Sequence, residues 1–187
     1  MAESMLAARR GRDLRIVGLV LTVLLVVGGG YLLDQWINNA DRPDLQAHVD
    51  AKRKEEIDLR FKQGVIMLHS KQYEHAMTAF HRVLQLAPKM PEAHVNMGFA
   101  MLGQKRYKEA LDFFDGATEL NRNQLNAYYG MAEAYEGLGD YRGALESMEA
   151  WLHRAKPEDP FRRNGEAAVW EWRERLKRDA AAKPDKK

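Results

Sequence analysis

The chain has 187 residues, no Cys, and a formal charge of +2 from 29 basic and 27 acidic side chains. That length fits one domain with extensions. The missing Cys excludes a disulfide framework, a thiolate metal site, a Cys nucleophile and a lipidated Cys anchor. The balanced charge leaves no global field that would draw nucleic acid.

The mean hydropathy of −0.54 averages two unlike parts. Residues 16–33 contain no charged side chain. Extended to Trp36, such a helix would be about 31 Å long, roughly one hydrocarbon core. The expectation is therefore a single transmembrane helix over residues 16–36. Arg9, Arg10, Arg12 and Arg15 precede it, whereas Arg42 is the one base between Asp34 and Ala51. The positive-inside rule then places a basic N-terminus (1–15) in the cytoplasm and the remainder outside. A cleaved signal peptide is the competing reading, but the apolar run exceeds a usual h-region and no Ala-x-Ala site follows it. Gly18 and Gly28–Gly30 offer a close-packing surface to another helix.

Residues 37–56 read as a spacer. Asp41-Arg42-Pro43-Asp44 is a turn signal, with Asp44 placed to cap a helix from Leu45.

From residue 57 the sequence repeats with a period of 34, in blocks 57–90, 91–124 and 125–158. Tyr73, Tyr107 and Tyr141 fall in register, as do Ala76, Ala110 and Ala144. Gly64, Gly98 and Ala132 form a small column, and Phe80, Phe114 and Met148 a large apolar one. Each block reads as two helices joined by a short turn, at 69–72, 103–106 and 137–140. A glycine inside a helix costs about 1 kcal/mol against Ala, so the small column calls for close approach of the paired helix. The Phe/Met column is expected to fill the space between hairpins.

This pattern resembles the tetratricopeptide repeat (TPR) family. It departs where the first helix usually carries a large aromatic: Arg60 and His94 stand there in blocks one and two, and Tyr128 in block three. Asn121-Arg122 stands where Pro is common. The resemblance implies an all-α fold, a three-repeat solenoid behind the transmembrane helix, closed by a polar capping helix over 159–179. Asp159 would cap that helix, and Phe161, Ala168, Trp172 and Leu176 would cover the open face of block three. Residues 180–187 are expected to be disordered.

No catalytic constellation is legible, and no phosphate loop lies outside the apolar run. None of the six His residues pairs with another at i, i+4. The Met residues at 67, 97, 101 and 131 read as core filling rather than a copper site. No catalytic, cofactor or metal site is expected. The chain is expected not to be an enzyme.

The resemblance instead implies a concave groove lined by first helices. Carried over by position, its residues are Phe61, Val65 and His69, then Val95, Asn96 and Phe99, then Asn126, Tyr129 and Glu133. Some TPR co-chaperones grip a C-terminal carboxylate with Lys, Arg and Asn on these helices. Here Phe61 and Val65 occupy two of those places and only Asn96 agrees, which speaks against that mode. The third block holds six acids against three bases. The expected function is a protein–protein interaction module serving as an accessory or scaffold subunit of a bacterial inner-membrane complex, its repeats in the periplasm. The alternative is a transient assembly factor, for example in cytochrome c maturation or respiratory-complex biogenesis.

Overall fold

The computed structural model describes residues 21–37 and 42–182. The chain falls into two units, Met1–Lys52 and Arg53–Lys187. Among the described residues there are eight helices and no strand.

In the first unit, helix α1 occupies residues 21–37, and its apolar side chains are exposed. The expected transmembrane helix over 16–36 is corrected here. Among the described residues no helix is long and apolar enough to cross a membrane. The described part of α1 spans about 26 Å and carries Asp34 and Gln35 near its end, short of the roughly 20 apolar residues a crossing requires. Residues 16–20, the basic N-terminus and residues 183–187 lie outside the described residues. The expected spacer is helical from Arg42 onward: α2 runs Arg42–His69, with Asp44 in its first turn.

The second unit is a helical stack. The C-terminal part of α2 pairs with α3 (Tyr73–Leu86), α4 (Pro91–Gly103) with α5 (Tyr107–Leu120), and α6 (Leu125–Leu138) with α7 (Tyr141–Arg154). Helix α8 (Arg162–Ala182) packs on α7 and closes the stack. It continues through residues 180–182, three of those read from sequence as tail.

The turns inside the hairpins share one construction. Lys71, Lys105 and Gly139 lie 34 apart and take left-handed φ values of 59°, 61° and 76°. In each, the following N–H reaches back five residues to a helix carbonyl: Gln72 to Met67, Arg106 to Met101, Asp140 to Tyr135. This is the Schellman closure of a helix C-terminus.

The large apolar column is the centre of the packing. Phe80 and Phe114 are fully buried. A β-carbon on Gly64 would stand 2.6 Å from Phe80 Cε1, and one on Gly98 2.6 Å from Phe114 Cε1. The small column therefore makes room for the ring of its own hairpin's second helix. The Ala column, wholly buried, lets the paired backbones approach. Tyr73 lies over Gly103 and Tyr107 over Gly137, so the tyrosine column joins each hairpin to the next. At the end of the stack Tyr141 has no following repeat; the Arg175 guanidinium of α8 covers its ring at 4.4 Å.

The departures from the repeat pattern are absorbed locally. His94 Nε2 donates to the Pro88 carbonyl at 2.9 Å, and Tyr128 Oη donates to the Arg122 carbonyl at 3.2 Å. Both bonds tie a first helix to the loop six residues upstream. Asn121, lacking the ring of a proline, accepts from the Asn123 N–H through its side chain at 3.0 Å.

Candidate functional site

The first helices of the three hairpins share one face, and a cavity of about 700 Å³ opens on it. Block one contributes Leu68, His69 and Lys71, together with Tyr73 at the start of α3. Block two contributes Asn96, Phe99, Leu102 and Gly103. Block three contributes Leu125, Asn126, Tyr129 and Trp151, and the connection to α8 adds Asp159 and Phe161.

Of the nine residues expected in the groove, His69, Asn96, Phe99, Asn126 and Tyr129 line this cavity. Val95 does not: it is 3% exposed and belongs to the core. Its helix packs against α3, α5 and α6, so more of its surface is interior than one amphipathic stripe suggests. Phe61 and Val65 are half-buried against the core, with Phe61 edge-on to Phe80 at 5.9 Å. Glu133 lies outside the lining, one turn past Tyr129 on the same face of α6.

The groove floor is aromatic and braced from behind. Phe99 meets the buried Phe114 edge-on at 5.1 Å, and Tyr129 meets Trp151 at 5.4 Å. Phe161 stands 6.1 Å from Tyr129 and is 55% exposed. It therefore lines the groove instead of covering block three. Helix α8 begins one residue later, and Asp159 Oδ1 accepts the Phe161 N–H at 2.9 Å, which turns the chain into the groove. The core of this end is closed by Trp172, as expected, with Val169, and Ala168 packs against it. Trp172 Nε1 donates to Glu136 at 3.0 Å.

The electrostatics differ along the groove. His69 and Lys71 stand at the block-one end, Asp159 and Glu133 at the block-three end. Burial, with help from Glu136, pushes the Glu133 carboxyl above its ordinary range. Burial and then Glu133 and Glu136 raise the Tyr129 hydroxyl. Among the described residues neither Glu133 nor Asp159 takes part in an ion pair. Nor does any cluster of His, Asp and Glu among them have the arrangement of a metal site. Met97, Met101 and Met131 are buried core residues.

The lining that sequence alone did not reveal has identifiable sources. Lys71 and Tyr73 belong to the turn and to the second helix, whose entry the left-handed residue bends toward the concave face. Trp151 shares its column with the buried Val83 and Ala117, which reads as core and hides that its large ring also reaches the groove, and Phe161 lies in the connection to α8, beyond the three blocks.

Comparison with known proteins gives a consistent picture. The profile described as tetratricopeptide repeat matches residues 67–127 and 101–162. No curated protein matches the chain by sequence. Among solved structures, the fold is similar to the Sgt2 TPR domain from Aspergillus fumigatus, at 19% identity and a TM-score of 0.62, covering 71% of this chain and 87% of that one. It is also similar to the TPR2B domain of yeast Sti1 in complex with pHsp70, at 18% identity and TM-score 0.61, covering 65% and 98%. PcrH in complex with the chaperone-binding region of PopD shares 16% identity at TM-score 0.62, covering 66% and 95%. These likenesses concern the fold.

Proposed function

Because this chain belongs to the tetratricopeptide repeat family, we propose that its concave groove binds an extended peptide segment of a partner protein. The observation that carries this reading is the lining itself. Phe99 and Tyr129 present ring surface, while Asn96 and Asn126 stand on the same face among the lining residues. An amide side chain both donates and accepts, so it can pair with the backbone of an extended peptide, and the rings can hold an apolar side chain. That the similar yeast Sti1 TPR2B and PcrH structures are complexes, with pHsp70 and with the chaperone-binding region of PopD, supports a protein-binding use of the fold. In this reading the chain is a scaffold or accessory subunit of a multiprotein assembly, and it performs no catalysis of its own. The alternative of a transient assembly factor draws on the likeness to PcrH, which is held with a chaperone-binding region.

The test is selection of a displayed library of random dodecapeptides on the whole chain. Peptides that bind are expected to share an apolar anchor and to lose affinity for the Asn96→Ala, Asn126→Ala double variant. Binders indifferent to that variant, or no binders at all, would overturn the reading. Isolation of the chain with a protein at fixed stoichiometry favours the stable subunit over the transient factor.

A further inference from the structure

The peptide reading leaves the sign of the ligand open, and the groove's charge settles on one. We infer that the segment bound in the groove carries a Lys or Arg side chain that enters the block-three end, against Tyr129 and Phe161 and between Glu133 and Asp159. This inference rests on the groove being a peptide site.

Three features lead there. Asp159 lines the cavity beside Phe161 and Tyr129, and Glu133, just outside the lining, lies one turn past Tyr129 on α6. Two neighbouring arginines are engaged elsewhere. Arg162 donates to the carbonyls of Leu152 and Ala155 and pairs with Glu166, and Arg154 lies over the Tyr128 ring while donating to Ala150. Neither acid takes part in an ion pair among the described residues. Finally, the opposite end presents Lys71, so a peptide with one cation is oriented by the groove rather than accepted in either direction. A cation over the face of a tyrosine or phenylalanine ring, with carboxylates alongside, is attracted by both. This chemistry is the inverse of a site for an acidic tail.

The experiment uses the peptides selected on the whole chain, resynthesised with each Lys or Arg replaced by Glu or by uncharged norleucine. Replacement of one basic residue is expected to weaken binding about tenfold, with an effect that shrinks as salt rises. Asp159→Asn keeps an acceptor for the Phe161 N–H while removing the charge, and Glu133→Gln removes the other. Both are expected to weaken the Lys peptide and leave the norleucine peptide unchanged. Glu133→Lys is expected to shift preference toward the Glu peptide. Peptides that bind in the groove, as judged by the Asn96→Ala, Asn126→Ala variant, yet are indifferent to these charge changes would overturn the inference while leaving the peptide site standing. Failure to select any binder would overturn both.

Discussion

The ring of Phe114 lies over Gly130 so closely that a β-carbon on residue 130 would stand 2.3 Å from Phe114 Cζ. The same ring fills the space beside Gly98 in its own hairpin, so one side chain joins three helices. Gly130→Ala places a methyl group where the ring is. The usual helix gain of about 1 kcal/mol is then outweighed by overpacking of about 1–3 kcal/mol, and urea unfolding should show a net loss. Gly116→Ala is the control. Its nearest neighbour would be His94 Nδ1 at an ordinary 3.5 Å, so the helix gain of about 0.5–1 kcal/mol should appear undiminished. Equal effects at the two sites would remove the packing explanation.

The left-handed turns give a second prediction. Lys105 holds φ at 61° where the matching residue of block three is Gly139. Non-glycine residues take this conformation at a cost of about 1–2 kcal/mol. Lys105→Gly should therefore raise stability by up to about 1 kcal/mol after the entropic cost of glycine is offset. A loss of stability would mean that the lysine side chain contributes more than its backbone costs.

Glu133 makes stability depend on pH. Its carboxyl is raised above the ordinary 4.5 by burial first and Glu136 second. Below that value it is protonated folded and unfolded alike, and no penalty arises. As pH rises through its folded value, the native state must ionise a desolvated group and stability falls. Asp115 is raised for similar reasons, so wild type alone does not isolate Glu133. The difference between wild type and Glu133→Gln does: it should be small at low pH and grow in favour of the variant toward neutrality. A constant difference across that range would contradict the assignment.

Groove residues should divide by what stands behind them. Phe99 leans on Phe114, and an aromatic pair adds about 0.5–1.5 kcal/mol beyond its buried area. Phe99→Ala should lower unfolding stability by about 1–3 kcal/mol as well as weaken peptide binding. Asn126 is exposed, and Asn126→Ala should change stability by less than about 0.5 kcal/mol while still weakening binding. Thermal melts beside titrations of a selected peptide separate the two.

The repeat was readable because stacking imposes the same demands every 34 residues: a ring at Phe80 and Phe114, room for it at Gly64 and Gly98, a tyrosine over the next glycine. His94 concealed the rule only by residue type, since it reaches the Pro88 carbonyl as Tyr128 reaches Arg122. The groove was partly readable. Asn96, Phe99, Asn126 and Tyr129 are placed by the face of their first helices, although the 34-residue register itself pairs Phe99 with Glu133 and Tyr129 with Val95. Val95 was misplaced because a first helix in the middle of a stack is covered on more than one side. Phe161 escaped because it lies beyond the last repeat, and Trp151 because its column, with Val83 and Ala117, reads as core. The apolar run at 16–33 illustrates a different limit: an uncharged stretch is a matter of composition, whereas α1 over the described residues 21–37 carries Asp34 and Gln35 and is not long and apolar enough to cross a membrane.

The most direct test of the peptide groove is amide chemical-shift mapping of the whole chain titrated with one selected peptide. The account predicts that the largest shifts fall on Asn96, Phe99, Asn126, Tyr129 and Phe161. Shifts concentrated instead on the outward face of α8, around the exposed Trp170, would contradict it.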